Sequence, residues 1–253
     1  MQFVIKHIEC CPSTNTVAAA VAAPSVDRPL LFIVADEQTA GRGQKGNSWE
    51  AEPGKNLTFS AVWRPVGVAP AEQFAISEAV ALSVVDLLGK HGVDAKVKWP
   101  NDIYVDDRKI CGILIEHSLL GSDIMRTIAG VGINVNQEIF LSDAPNPVSM
   151  KQLTEIEYDL AGLINEYARF LSLRLKAIAD KSGRDLHHQE YMKKMWRFDS
   201  LPYPFRDVAS GKIYKGVIMD VELSGHLHVR SINDENQYRY AFKEVEFLPY
   251  EGF

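Results

Sequence analysis

Two segments carry residue types at spacings that could do chemistry. The first is GRGQKG, where Gly41, Gly43 and Gly46 alternate with Arg42, Gln44 and Lys45 ahead of Trp49. Glycine backbone can approach an oxyanion closely, its N–H groups donate, and neighbouring cations neutralise charge, so the loop suits an anionic ligand. Taken alone, it serves equally as a surface turn with incidental charge. The second is KWPNDIYVDDRKICGILIE, which sets Lys98, Asn101, Asp102 and Lys109 on a strand-turn-strand hairpin rich in β-branched residues, beside Gly112. An ammonium entering a buried hairpin is costly without an anionic partner. Spacing alone favours a plain Asp102–Lys109 pair across the hairpin over a catalytic role.

Two phosphate-binding readings fail for the glycine loop. Gly41, Gly43 and Gly46 have the G-x-G-x-x-G spacing of dinucleotide-binding folds, but that motif needs a helix straight after its last glycine. Asn47, Ser48, Trp49, Pro53 and Gly54 oppose one. A Walker loop fails because Lys55 is followed by Asn56 and no glycine stands at the required spacing before Gly54. His7, His117, His187 and His188 show no ligand spacing with cysteines or carboxylates, so no metal ligand is expected among them.

The elements that must position these segments follow from periodicity. Ser13, Thr14 and Asn15 precede an alanine-rich stretch, Val17 to Ala23, closed by Pro24, which predicts a short capped helix. Leu30 to Ala35 reads as a buried strand. Leu57, Phe59, Ala61 and Trp63 alternate with Thr58, Ser60 and Val62, predicting a second strand with period two. Ala71 to Leu88 is predicted helical, then strands at Ala95 to Trp99, Ile103 to Val105, Ile110 to His117 and Ile124 to Val135. Two more helices are expected, from Tyr158 to Ile178 and from Asp185 to Trp196. Beyond Trp196, Pro202 and Pro204 read as a linker to a compact β-barrel of about five strands, with turns at Ser224-Gly225 and Asn233 to Asn236. The expected fold class is α+β with a mixed or antiparallel sheet, divided into residues 1–198 and 199–253.

At 253 residues and 46% hydrophobic, the chain can bury a full core. A net charge of -6 leaves no basic footprint, which opposes tight duplex binding and makes nucleic acid a poor partner. Cys10, Cys11 and Cys111 form neither an even disulfide framework nor a metal pair, which fits a reducing cytoplasm. Lys6, His7 and Glu9 interrupt the N-terminal apolar residues, so a signal peptide is not expected, and no apolar run nears the ~20 residues of a membrane span.

Taken together, the Ser-Thr-Asn start, QTAGRGQKGNSW, KWPNDI followed by RKICGILIE, and GVGIN at Gly130 to Asn134 resemble the biotin protein ligases. The resemblance covers most of residues 3 to 200. It continues through GVIMDVELSGHLHV, which is similar to the family's small SH3-like domain. It implies a class II aminoacyl-tRNA synthetase-like catalytic domain plus a C-terminal SH3-like barrel. It also implies ATP-dependent biotinylation of one lysine on a biotin carboxyl carrier domain, through biotinyl-AMP, with Mg²⁺. The N-terminal DNA-binding domain of the ligases that also repress transcription is not expected in this chain.

Residue by residue, the resemblance implies that Ser13, Thr14, Asn15 and Gln38 address the biotin rings. Gly41, Arg42, Gly43 and Gln44 would form the loop over carboxylate and phosphate, with Lys45 adding charge and Trp49 ordering the closed loop. Lys109, beside Gly112, would contact the biotin carboxylate and then the adenylate. Asn101, Gly132 and Asn134 are expected near the nucleotide, and Arg42, Asp102 and Lys109 in the chemical step. The family's usual loop reads G-R-G-R-x-G-R, and here Gln44 and Asn47 stand where arginines are common. Looser retention of biotinyl-AMP is therefore expected, or compensation by Lys45. The rival readings are a lipoate ligase, a biotin-binding module that has lost ligation, and a repressor. A homodimer through an exposed sheet edge and a monomer both fit the sequence.

Overall fold

The computed structural model describes residues 2–21, 24–25, 27, 29–44, 48–141 and 146–250. The chain opens with β1 (Phe3–Cys11), α1 (Thr14–Ala20), β2 (Leu30–Gln38) and β3 (Leu57–Trp63), followed by α2 (Phe74–Lys90). Next come β4 (Lys96–Lys98), β5 (Asp102–Val105), β6 (Arg108–Leu120) and β7 (Asp123–Ile133). These strands form one seven-stranded sheet in the order β1-β2-β3-β7-β6-β5-β4. Only β1 and β2 run parallel, with Phe3 opposite Leu30; every other neighbour is antiparallel. The sheet is therefore mixed.

Three helices follow, α3 (Met150–Thr154), α4 (Leu160–Ala177) and α5 (Lys181–Lys194). α2 is apolar almost all round, which is the pattern of a helix buried on every side. It packs against α4 and α5, and the helices share one core with the sheet, centred on Phe32, Phe59 and Tyr167. On the opposite face the short α1 covers β2, β3 and β7 through Ala18, Ile33, Val62 and Ile128. β3 is thus buried along its whole length, including the polar Thr58 and Ser60. The period-two pattern there separates two interiors rather than core from solvent.

The C-terminal segment forms β8 (Tyr203–Asp207), β9 (Ile213–Val221), β10 (Leu227–Ser231), β11 (Gln237–Tyr240) and β12 (Val245–Phe247). They make a five-stranded antiparallel sheet in the order β11-β10-β9-β8-β12. The strand number is the expected one, but among the described residues the ladder stays open between β11 and β12 instead of closing as a barrel. Both end strands are short, and Trp99 of the larger sheet's hairpin packs on Phe242, between them in sequence, and on Phe247 of β12.

Several boundaries differ from the sequence expectation. β1 is unanticipated because Lys6, His7 and Glu9 interrupt its apolar residues, as an edge strand tolerates. α1 begins at Thr14, earlier than expected, and the Ser13 side chain makes no cap bond. The first helical N–H is met from β2 instead, the Gln38 Oε1 accepting from the Thr14 N–H at 2.7 Å. Residues 22 and 23, the expected end of that helix, lie outside the described residues. Pro204 is not linker but part of β8, paired opposite Lys215.

Candidate active site

The cavity at the centre of the larger sheet draws on every segment named above. It is lined by Ser13, Thr14 and Asn15 from the start of α1, Gln38 from the end of β2, and Arg42, Gly43, Gln44 and Trp49 from the glycine loop. Asn101, Asp102, Lys109 and Gly112 enter from the β5–β6 hairpin, and Gly132 from β7. Two expected residues stand apart from its lining. Gly41 forms the loop's stem, its carbonyl accepting from the Trp49 N–H at 3.1 Å. Asn134 is buried behind the hairpin, where its Nδ2 donates to the Val148 carbonyl at 3.1 Å. Lys45, Gly46 and Asn47 lie outside the described residues.

Lys109 and Asp102 do pair, Nζ to Oδ1 at 2.7 Å, but the pair is not buried scaffolding. Both side chains remain about a quarter exposed, and both line the cavity. The Lys109 backbone is fixed from both sides: its N–H donates to the Asn146 carbonyl and its carbonyl accepts from the Val148 N–H. Next to Asp102, the Asn101 Nδ2 donates to the Ile113 carbonyl and its Oδ1 accepts from Gln44 Nε2 at 3.0 Å, so the glycine loop is tied to the hairpin. Lys98 points into a different environment, 3.0 Å from the Tyr104 hydroxyl and over the Tyr104, Trp196 and Phe247 rings. Burial there lowers its amine pKa, while the Asp102 charge opposes the drop.

Trp49 explains the glycines facing it. A Cβ on Gly112 or Gly132 would overlap its indole, so only glycine lets the ring lie flat against the β6 and β7 backbones. The Trp49 Nε1–H is buried without a partner, and Lys109 Nζ sits 5.7 Å from the ring centre. Gly130 is constrained in the same way, because a Cβ there would collide with the Asn15 amide.

A polar relay missed by the sequence reading runs along one wall. Glu116 Oε2 accepts from Asn15 Nδ2 at 2.8 Å and from Arg42 Nη2 at 3.2 Å. Ser60 Oγ lies 2.5 Å from Asn15 Oδ1 and 2.7 Å from Thr14 Oγ1. Ser60 had a sequence signal, a hydroxyl that shares with Thr58 a strand whose other residues are apolar. Glu116, at the end of the RKICGILIE segment, had none, since its contacts depend on β6 reaching the start of α1.

The described residues contain no group of three or more His, Cys, Asp or Glu side chains placed to hold a metal ion. What the site offers is positive charge, backbone donors and uncharged hydrogen-bonding groups around one cavity. That set suits an anionic or phosphorylated ligand with a polar, uncharged end.

The fold is the one seen in biotin protein ligases. The Aquifex aeolicus enzyme solved with biotin and ATP superposes with a TM-score of 0.77 at 22% identity, covering 96% of this chain and 97% of that one. The Leishmania major enzyme solved with biotin gives a TM-score of 0.59 at 23% identity, covering 94% and 98%. At such identities the likeness establishes the fold alone. Membership rests on sequence: the model of the Biotin/lipoate A/B protein ligase family matches residues 7–134, half of the chain, and the protein belongs to that family.

Among curated relatives, the Escherichia coli bifunctional ligase/repressor BirA is 39% identical over 103 residues, 40% of this chain and 32% of that protein. The Paracoccus denitrificans biotin--[acetyl-CoA-carboxylase] ligase is 37% identical over 126 residues, 49% of this chain and 51% of that protein. The chain thus spans about a third to a half of the length of these relatives.

Proposed function

We propose that this protein is an ATP-dependent biotin–protein ligase, which forms biotinyl-AMP and transfers biotin to a lysine on the carrier domain of a biotin-dependent carboxylase. The observation that carries the reading is the single cavity in which Lys109 and the glycine loop meet the uncharged groups of Ser13, Thr14, Asn15 and Gln38. Those groups match a cyclic urea, and the cations match a carboxylate that must meet a phosphate.

In the first stage the biotin carboxylate attacks the α-phosphorus of ATP and pyrophosphate leaves. In the second, the acceptor lysine amine attacks the acyl carbon and AMP leaves. Both stages collect negative charge on phosphate oxygens, so the chain's task is positioning and charge stabilisation. Lys109 holds the carboxylate toward phosphorus and then neutralises the adenylate, with Arg42 and the loop's backbone N–H groups sharing the charge. Trp49 covers the β6–β7 floor and excludes water from the anhydride. Magnesium in nucleotide sites takes one or two carboxylates together with phosphate oxygens. Among the described residues Asp102 is the carboxylate that lines the cavity, and it would hold the ion there to offset triphosphate charge.

The separate ladders of the two sheets support a division near residue 199 into a catalytic domain and a small terminal domain. A cytoplasmic setting fits the three free cysteines, and among the described residues no helix is long and apolar enough to cross a membrane.

Pyrophosphate release from MgATP, measured with and without biotin, tests the reading. Biotin-dependent release that collapses in Lys109→Ala is expected, with lipoate failing to compete. Biotin binding without release would make the protein a non-catalytic module, and release driven by lipoate would make it a lipoate ligase.

A further inference from the structure

We propose that the apolar cavity at the far end of β3 binds a small anionic amphiphile, a carboxylate carrying an aliphatic tail. The site is separate from the catalytic cavity and its assignment does not depend on the biotin reading. Thr58 and Phe59, near the start of β3, line the catalytic cavity, whereas this one opens at Trp63, roughly 15 Å further along the strand.

The cavity measures about 300 Å³ and is walled by Trp63, Val68, Ile76, Leu175 and Ile178, all buried core side chains. That volume is at the lower end of the range for small-molecule sites. Its two lips are fixed. Past Pro65 the chain turns through Gly67 at a φ of 71°, where a Cβ would overlap the Ala179 carbonyl between α4 and α5. The buried Arg184 pins both sides, its Nη1 donating to the Gly67 carbonyl at 2.8 Å and to the Ile178 carbonyl at 3.0 Å. Its Nη2 pairs with Glu72 at 3.1 Å, which ties in the turn before α2. With the lips held by one guanidinium, the walls do not slide together to fill the hollow. An apolar guest then supplies the contacts that the lining lacks.

Charge at the mouth selects the head group. Val66 and Lys176 line the cavity and are exposed, so they mark its opening, and the partly buried Arg64 stands on the same rim. Among the described residues the side chains of Arg64 and Lys176 have no hydrogen bond or ion pair. The carboxylates close to the rim in sequence are committed: Glu72 to Arg184, and Asp180 to the Gly183 N–H and the Ser182 hydroxyl at the start of α5. Two cations without a counter-ion above an apolar hollow complement a carboxylate on an aliphatic tail. The tail displaces water from Trp63 and Leu175, and the head group accepts from Arg64.

Decanoate is the probe, with 1-decanol as its uncharged counterpart, each titrated calorimetrically with and without saturating biotin. Decanoate is expected to saturate one site that biotin does not compete for, and to bind about fourfold more weakly for each methylene removed. The alcohol is expected to bind about 10-fold more weakly than the acid to the wild type. Arg64→Gln should remove most of that difference with the melting temperature kept. Val66→Trp, an exposed change at the opening, should block both ligands. No saturable binding at millimolar decanoate, displacement by biotin, equal affinity for acid and alcohol in the wild type, or full affinity in Val66→Trp would each overturn the proposal. Chains that ignore decanoate but self-associate, in a manner that Val66→Trp abolishes, would overturn it too and make this face an interface between copies. None of these outcomes bears on pyrophosphate release, so the ligase reading stands or falls separately.

Discussion

Gln44 Nε2 donates to Asn101 Oδ1 at 3.0 Å, so the glycine loop is joined to the hairpin by two uncharged amides, one residue from Asp102. A cation at position 44 would bring charge to the same spot. Gln44→Arg is expected to slow escape of biotinyl-AMP by roughly 10-fold, the scale of one added charge-assisted hydrogen bond. Chasing labelled adenylate with excess biotin measures it. Escape as slow in the wild type as in the variant would count against looser retention, and a further rise in escape on Lys45→Ala would assign the compensation to Lys45.

Lys109 and Asp102 behave as one unit if their 2.7 Å contact holds each in place. Lys109→Met should reduce pyrophosphate release by a hundredfold or more, about 2–4 kcal/mol of barrier. Asp102→Asn should cost less, since the amine remains. The double variant should fall little below Lys109→Met alone, because a pair in contact is not additive. Additive losses measured in initial rates would mean that the two residues work separately.

Trp49 and Gly132 share a space that admits only one of an indole and a methyl group. Gly132→Ala is expected to push the indole out, at a cost of about 1–3 kcal/mol in unfolding free energy. Trp49→Ala in the same chain should restore much of that stability but not the ligase activity. Denaturant titration reads the first effect and pyrophosphate release the second. A Gly132→Ala variant as stable as the wild type would show that the ring can move aside without cost.

His188 links three elements. Its Nδ1 lies 2.7 Å from the buried Glu78 of α2, and its Nε2 lies 3.3 Å from Asp220 of β9. The Glu78 hydrogen bond raises its imidazole pKa above the ordinary value, with burial opposing. A folded value above the unfolded one gives stability that is complete below the unfolded pKa and is lost as pH rises through the folded one. Burial also pushes the Glu78 carboxyl up, which acts in the same direction at lower pH. The melting temperature should therefore fall between about pH 6 and pH 8. His188→Gln should flatten that slope; a wild type with no slope, or a variant with the same one, would discount the contact between α5 and the terminal sheet.

Much of the candidate site is legible in the sequence. Lys109, Asp102, Asn101, Gln44 and Trp49 all line one cavity, as do Ser13, Thr14, Asn15 and Gln38. They were readable because close backbone approach needs glycine and charge needs cations, and both requirements are written locally in two short segments. Most strands and helices were legible for a similar reason: burial on a periodic element imposes a period on its sequence. β1 escaped because an edge strand tolerates charge, and the open terminal sheet escaped because short strands carry too little pattern to reveal which edges pair.

By itself, the sequence determined most of the elements, the residue types suited to an anion, and the family. Only the tertiary structure decided which polar groups face one another. The Ser13 side chain makes no cap bond, and the Thr14 N–H goes to Gln38 at the end of β2. Asn134 withdrew from the cavity because Val148 needed a donor. Glu116, unremarkable in its segment, meets Asn15 and Arg42 only because the folded sheet brings β6 to the start of α1 and to the glycine loop. Hydrogen-bond direction depends on which atom each neighbour leaves free, and those neighbours come together only when distant strands enter one sheet.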